Sequence, residues 1–269
     1  MRGASREAAA AGREALTSAL AVADAASLAD ELFAVASAVD ANPTLRRGLA
    51  DPSRDAAAKQ GIVDRVLAGK VSSAALDVVK ALVGQRWSQD RDLTDTVETL
   101  AVEAVVAGAE RSGEVDRVED ELFRFERAVA GDPELRDALT NRYGDPAQRA
   151  AVVDRLLQHK ARPETVRLAR QAVLEPRGRK FGRTIEEYLA VAARRREQIT
   201  AVVTAATPLD QADEDRLARA LSGIYGKPVL LQVVVDPSVI GGLRVRVGDE
   251  VIDGTVARKL EGARRHLAG

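Results

Sequence analysis

The sequence predicts a mainly α protein with a small α/β domain, in which two duplicated N-terminal helical bundles precede a β-α-β-β-α C-terminal domain. Three features support this fold class: apolar residues at helical spacing through most of the chain, a pattern that recurs 90 residues later, and β-branched runs broken by glycine near the C-terminus. We place the domains at residues 1–112 (first helical bundle), 113–198 (second helical bundle) and 199–269 (C-terminal α/β domain).

The two helical bundles are a duplication. Ala29-Asp-Glu-Leu-Phe33 recurs as Glu119-Asp-Glu-Leu-Phe123, so the shared glutamates, Glu31 and Glu121, are 90 residues apart. The same offset relates further segments: Asn42-Pro43 to Asp132-Pro133, and Val63-Asp64-Arg65 to Val153-Asp154-Arg155. One helical unit therefore occurs twice in the chain.

Each unit is expected to hold about five helices. The first helix of each copy carries an apolar stripe at i, i+4, i+7 and i+11, formed by Leu28, Leu32, Val35 and Val39 and by Val118, Leu122, Phe125 and Val129. Asn42 and Asp132 are expected N-caps with proline at the first helical position, so a second helix begins there. Later apolar stripes predict further helices around residues 62–67, 76–82 and 93–104, with counterparts around 152–157 and 185–192.

The C-terminal domain has a different periodicity. Its predicted elements are a strand at Ile199–Ala206, a helix at Asp210–Tyr225 with Leu217, Leu221 and Ile224 on its apolar side, a strand at Val229–Val235 and a half-buried strand at Leu243–Val247. Gly248-Asp249 is expected to form a hairpin turn. Asp253-Gly254-Thr255 is then expected to cap a last helix, which contains Leu260.

Composition excludes several function classes. Forty basic and 41 acidic residues leave a net charge of −1, so no overall field favours nucleic acid. The chain has no cysteine, which removes disulfides and thiol catalysis. Charged residues interrupt the alanine-rich N-terminus at Arg6, Glu7, Arg13 and Glu14, so we expect no signal peptide and no membrane insertion there.

Candidate catalytic and binding residues are few. The two histidines, His159 and His266, follow apolar helices and are interpreted as helix C-terminal caps. The acidic group Asp116 and Glu119–Glu121 is interpreted as a solvent-facing helix surface, with a paired-carboxylate catalytic site or a cation site as the alternative. The basic run Arg194–Arg196 is interpreted in the same way, with a contact to phosphate or anionic lipid as the alternative. Gly241-Gly242 is interpreted as a bulge or turn, with a phosphate-binding loop as the alternative.

The C-terminal pattern resembles the delta subunit of the bacterial F-type ATP synthase, called the oligomycin-sensitivity-conferring protein in mitochondria. The signature is an apolar strand, an acidic turn, a small pair before a second strand, then Gly-Asp and Val-Ile-Asp-Gly. Here it is carried by Asp236, Gly241, Gly242, Gly248, Asp249, Asp253 and Gly254. That family ordinarily has one helical bundle, so the two bundles here resemble its longer actinobacterial form.

The resemblance implies a non-catalytic stator subunit without a cofactor, on the cytoplasmic face of the bacterial membrane. Its expected partners are the alpha subunit of the catalytic head, held by a helical bundle, and the b (or b/b′) stalk subunits, held by the C-terminal domain. We name Ala104, Trp87 and Leu260 as possible partner-binding residues and expect Ala104→Arg to weaken assembly without unfolding the chain. Trp87 has a second interpretation, as a plug at the end of the bundle.

Three alternatives remain open. The first is the E-type peripheral-stalk subunit of vacuolar and archaeal rotary ATPases, although that family usually begins with one long charged helix. The second is a helical adaptor outside rotary machines. The third is an enzyme that uses Asp253 or the Gly241-Gly242 loop.

Overall fold

The computed structural model describes residues 3–141, 143–197, 199–225, 227–237, 239, 241–247 and 250–253. The chain divides into two compact units, Met1–Arg195 and Arg196–Gly269, which we call the helical unit and the C-terminal unit. The mainly α fold class with a small α/β domain is confirmed.

The described residues of the helical unit form eleven helices. They are α1 (Gly3–Val22), α2 (Ala25–Asp40), α3 (Pro43–Ala50), α4 (Ala56–Leu67), α5 (Ser73–Val83), α6 (Asp90–Arg111), α7 (Val115–Gly131), α8 (Pro133–Thr140), α9 (Pro146–Leu157), α10 (Pro163–Leu174) and α11 (Phe181–Glu197). Helices α2 to α6 and α7 to α11 correspond at the offset of 90 residues; the bounds of α8 and α9 match those of α3 and α4 residue for residue.

The predicted helix caps are present in both repeats. The side chain of Asn42 accepts a hydrogen bond from the Leu45 N–H at 3.0 Å, and Asp132 accepts one from the Leu135 N–H at 3.0 Å. Each cap is followed by a proline at the first helical position, where the missing N–H leaves no donor unpaired. The same local chemistry therefore starts α3 and α8.

Helix α6 lies at the centre of the helical unit. Fourteen of its 22 residues are buried, and they lie on every side of the helix, as expected for a helix surrounded by protein. Helices α1 and α6 pack in parallel, and Arg13 contacts Glu103. Helices α6 and α11 pack in the same way, and Glu98 contacts Tyr188. The two residues of each pair are 90 positions apart. Helix α6 is thus the last helix of the first repeat. It also packs against the second repeat in the way that α1 packs against the first.

The core of the helical unit is continuous. Buried apolar side chains from α1 through α11 form one cluster, which includes Leu16, Leu100, Leu122, Leu168 and Ile185. Residue 113 marks the start of the second sequence repeat, while side chains from both repeats contribute to the same core.

The C-terminal unit contains β1 (Ile199–Ala205), α12 (Gln211–Tyr225), β2 (Val229–Val235), β3 (Leu243–Val247) and β4 (Glu250–Asp253). The strands lie in the order β2-β1-β3-β4; β1 pairs in parallel with β2, and the β1–β3 and β3–β4 pairs are antiparallel. Leu221 of α12 packs with Ala201, Val203 and Val245 in a small core.

Two details of this unit differ from the sequence prediction. Strand β4 is additional to the three predicted strands, and it pairs with β3 across a two-residue connection, as a hairpin requires. Ile224, expected on the apolar side of α12, is 69% exposed. Gly248 and Asp249 lie outside the described residues, as does the predicted last helix with Gly254, Leu260 and His266.

Candidate functional site

The described signature residues of the C-terminal unit shape the turn between β2 and β3. The Asp236 N–H donates to the Ala205 carbonyl at 2.8 Å, which continues the β1–β2 edge, and the Asp236 carbonyl accepts from the Val239 N–H at 3.1 Å. Gly241 and Gly242 have φ of 64° and 78°, a conformation that favours glycine. Strand β3 begins at the next residue, so the pair forms a turn before a strand, whereas a phosphate loop would open into a helix. Asp253 is the last residue of β4.

The edges of the sheet expose apolar side chains. Val234 and Val235 on β2 and Val251 and Ile252 on β4 are exposed, the most accessible being Val251 at 49%. Both strands are at edges of the described sheet. Exposed apolar residues on neighbouring positions of an edge strand are typical of a protein-binding surface.

Ala104 is not on the surface of the helical unit. It is fully buried in α6, as are Ala101 and Ala109. An arginine could not fit there without separating the packed helices, so the expectation that Ala104→Arg spares the fold is wrong. An alanine-rich helix face permits either an open groove or close contact with another helix, and in α6 neighbouring helices cover it.

Trp87 is buried in the connection between α5 and α6, with 5% of its surface exposed. Its indole N–H donates to the Leu82 carbonyl at 3.0 Å, at the C-terminus of α5. The neighbouring Ser88 N–H donates to Ser5 Oγ on α1 at 2.9 Å. These contacts match the interpretation of Trp87 as a plug of the bundle end.

A buried ion-pair cluster joins the two repeats. It is centred on Glu98 and includes the residue of the second repeat that corresponds to Trp87. Arg177, the counterpart of Trp87, donates to Glu98 at 2.8 Å, and Arg179 donates to the same carboxylate at 2.5 Å. Tyr188 Oη donates to Glu98 at 2.9 Å. Burial, together with the negative charge of Glu98, raises the pKa of Tyr188 well above its ordinary value, so the hydroxyl remains a donor.

The cluster includes two more carboxylates of the first repeat. Arg177 also contacts Asp95 at 2.8 Å and Asp40, on α2, at 3.5 Å. Burial raises the pKa of Asp95, although the positive charge of Arg177 opposes this shift. Arg195 on α11 makes a further ion pair with Glu110 on α6 at 2.7 Å, so part of the basic run Arg194–Arg196 holds two helices together.

The glutamate shared by the two repeats caps a helix. Glu121 accepts hydrogen bonds from the Arg162 N–H and the Thr165 hydroxyl, both at 2.7 Å, at the start of α10. Its counterpart Glu31 accepts from the Ser72 N–H at 3.0 Å and the Ser72 hydroxyl at 2.6 Å, at the start of α5. Glu121, predicted to face solvent, therefore makes specific contacts with the start of another helix.

The pKa of Glu121 reflects this position. Burial raises it, but the hydrogen bonds from Thr165 and Arg162 and the charge of Arg117 act in the opposite direction, and the pKa lies below its ordinary value. The ionised carboxylate is consequently the form that caps α10. The sequence shows that the glutamate recurs at the repeat offset, but the helix start that it caps lies 41 residues further along the chain, so no local pattern indicates the contact.

His159 adopts a conformation that explains its place in the repeat. It follows α9 with φ of 60°, and its counterpart Gly69 has φ of 74°. The turn after this helix requires the left-handed conformation in both repeats, and histidine is strained there. Within the described residues, no cluster of three or more acidic or histidine side chains could hold a metal ion, and no helix is long and apolar enough to span a membrane.

Comparison with known proteins identifies the family. A family model described as the ATP synthase delta (OSCP) subunit matches residues 102–267. The protein named ATP synthase subunit delta from Kineococcus radiotolerans is 53% identical over 247 residues, covering 92% of this chain and 90% of that one. Proteins of the same name from Streptomyces griseus (47% over 272 residues, 100% of both chains) and Streptomyces coelicolor (46% over 271 residues, 100% and 98%) align over the whole length.

These full-length alignments include both helical repeats and the C-terminal unit. The chain therefore belongs to the ATP synthase delta (OSCP) subunit family, in the longer form that these actinobacterial relatives share.

Proposed function

We propose that the chain is a non-catalytic peripheral-stalk subunit of a proton-transporting F-type ATP synthase. In this role it links the N-terminus of the alpha subunit in the catalytic head to the membrane-anchored b stalk, on the cytoplasmic face of the bacterial membrane, and resists the torque of the rotor. The observation that carries the proposal is the full-length similarity to proteins named ATP synthase subunit delta. Family membership disfavours the E-type subunit and the unrelated helical adaptor.

The packing of the helical unit supports a mechanical role. A subunit that resists torque must not bend between its contacts, and close-packed protein interiors have low compressibility. Here the repeats share α6 and one core, and the Glu98 cluster adds directional contacts between them. A single stiff unit transmits force better than two bundles joined by a flexible linker.

The C-terminal unit supports a second contact. Its sheet has exposed apolar side chains at both edges, Val234 and Val235 on β2 and Val251 and Ile252 on β4. We assign the b stalk to the β4 edge, where an apolar side chain could pack against a stalk helix, and the alpha N-terminus to the helical unit.

The test is affinity capture of the tagged chain from gently solubilised native membranes, with the retained proteins identified by mass spectrometry. We expect alpha, beta and b subunits in comparable amounts together with ATPase activity. Recovery of none of them would refute the proposal.

A matched pair of substitutions tests the assignment of the b stalk. Val251→Asp places a charge on β4, and we expect it to reduce the recovery of b. Val22→Asp makes the same change at an exposed position of α1, 85% accessible, and should leave b recovery unchanged. Equal recovery of b by both variants would exclude the edge of β4 from the stalk contact.

A further inference from the structure

A cavity of about 620 Å³ lies in the second repeat, among α7, α8, α9, the end of α10 and the start of α11. Its apolar lining includes Val129, Leu139, Val173 and Phe181. Its charged lining is mainly basic, with Arg136, Arg149, Arg179, Lys180 and Arg183 against Glu126 and Glu186. A cavity of this size is within the range that binds ligands or a few side chains of a partner.

The first repeat has a charge clamp at the corresponding position. Arg46 on α3 contacts Asp90, at the start of α6, at 2.9 Å and Asp40, at the end of α2, at 3.2 Å. The hydrogen bond from Arg46 lowers the pKa of Asp90 below its ordinary value, so the carboxylate stays ionised. The clamp holds α3 against α6, and the Arg46 side chain is only 12% exposed.

The second repeat keeps the arginine and loses both carboxylates. Arg136 corresponds to Arg46, but Ala130 stands in the place of Asp40 and Lys180 in the place of Asp90. All three residues line the cavity. The Arg136 side chain is 49% exposed, and the nearest carboxylate paired with it is that of its chain neighbour Asp137 at 3.6 Å.

Lys180 adds a second positive charge to the cavity, at the position where the first repeat has the negative charge of Asp90. It faces the same cavity as Arg136, and within the part of the chain that the structure describes it has no ion-pair partner. Arg136 and Lys180 are both exposed to solvent, so a carboxylate that enters the cavity would meet two positive charges there. Two carboxylates do line the cavity, Glu126 and Glu186, but Glu186 pairs with Arg183 at 3.5 Å, and among the described residues neither forms an ion pair with Arg136 or Lys180. The cavity thus lacks a carboxylate at the two positions that hold the arginine in the first repeat.

Arg149 adds a buried cation to the lining. Its guanidinium donates through Nη1 to the Val173 carbonyl at 2.8 Å, at the C-terminus of α10, while Nε is buried and has no hydrogen-bond partner among the described residues. Lys59 is its counterpart and donates to the Gln85 carbonyl at 2.8 Å, so both repeats place a buried cation at this helix end. In the second repeat this cation lines the same cavity as Arg136, the arginine that has lost both aspartate partners.

We propose that this cavity binds an acidic and apolar segment of a partner protein. An aspartate or glutamate of the partner takes the place of the missing carboxylate between Arg136 and Lys180, and an adjacent apolar side chain fills the floor formed by Val129, Leu139 and Phe181. A protein carboxylate is favoured as the occupant because the first repeat satisfies the same arginine with aspartate side chains. This inference goes beyond the proposed function, since it holds whichever complex contains the chain.

The test uses the full chain and two fluorescein-labelled helical peptides. One carries glutamate and leucine on one face; in the other each glutamate is replaced by glutamine. We expect the glutamate peptide to bind at least about tenfold more tightly in fluorescence anisotropy, with affinity that falls as salt is added.

Lys180→Asp rebuilds the first-repeat clamp within the chain and should weaken binding of the glutamate peptide at least about tenfold. Lys70→Asp makes the same charge change at an exposed position of the first repeat and should leave binding unchanged. Octanoate serves as the small-molecule probe. Equal binding of the two peptides, equal binding by wild type and Lys180→Asp, or binding of octanoate but of neither peptide would each overturn the proposal.

Discussion

Replacing Glu98 by alanine tests whether the buried ion-pair cluster joins the two repeats energetically. Glu98 is 2% exposed and accepts hydrogen bonds from Arg177, Arg179 and Tyr188. Removing one partner of a buried ion pair destabilises by about 3–5 kcal/mol, because a buried charge loses its compensation. Asp95 and Glu187 still pair with the arginines, which favours the lower part of this range.

The loss of stability in Glu98→Ala can be expressed as a decrease in melting temperature. For a unit of this size, each 1 kcal/mol shifts Tm by about 2–4 °C, so Glu98→Ala should lower Tm by about 6–20 °C. Urea unfolding followed by fluorescence gives the free energy directly. Trp87 is the sole tryptophan and lies in the core, so its emission reports on the helical unit.

A control variant shares one arginine with Glu98. Glu187 pairs with Arg179 at 2.9 Å but is 37% exposed, and an ion pair that water reaches contributes at most about 1 kcal/mol. Glu187→Ala should therefore cost about 1 kcal/mol or less. If Glu98→Ala costs no more than Glu187→Ala, the argument that the cluster joins the repeats is refuted.

The remaining predictions concern local features. Gly12→Ala places a Cβ 2.4 Å from the Leu82 side chain and should destabilise the protein by about 1–3 kcal/mol. Gly48→Ala lies in open space within a helix and should stabilise it by about 0.5–1 kcal/mol. A higher urea midpoint for Gly12→Ala than for Gly48→Ala would contradict the packing. Glu121→Ala should cost about 1 kcal/mol at neutral pH. Because the folded pKa of Glu121 is depressed, its contribution is present above the unfolded value of about 4.3 and is lost as pH falls below it, so wild type and variant should converge in stability in acid. His159→Gly should leave stability equal or raise it by up to about 1 kcal/mol in thermal unfolding, and a clear loss would mean that the imidazole makes a stabilising contact.

Sharing of α6 gives the duplication a physical consequence. Two separate bundles would each need a helix at both ends, whereas here one helix closes the first repeat and opens the second. The shared helix must be apolar on both sides, which accounts for its weakly amphipathic sequence. Changes in α6 are therefore expected to affect both repeats together.

Local chemistry made much of the fold predictable. A helix cap depends on residues within about four positions, so Asn42 and Asp132 could be identified from their neighbours alone. The repeat offset and the strand pattern of the C-terminal unit were readable for the same reason. The turn at Gly241-Gly242 followed from the absence of a Cβ where φ is positive.

The candidate sites were less predictable because they depend on distant contacts. Ala104 was interpreted as surface since helical spacing shows which residues share a face but not which helix covers that face. The partners of Glu98 lie 79 to 90 residues away, and no local pattern indicates that they meet. The basic cavity of the second repeat likewise became apparent only when its lining could be compared with the Arg46 clamp.

Helices, caps, the duplication and the family signature thus follow from the amino-acid sequence, because each depends on side chains that are neighbours along the chain or recur at a constant offset. The sharing of α6, the burial of Ala104 and the ion pairs between repeats follow from the packing of helices far apart in sequence. That packing depends on the burial of many apolar side chains at once, so which helix faces pack together is decided by the whole chain and not by any one segment.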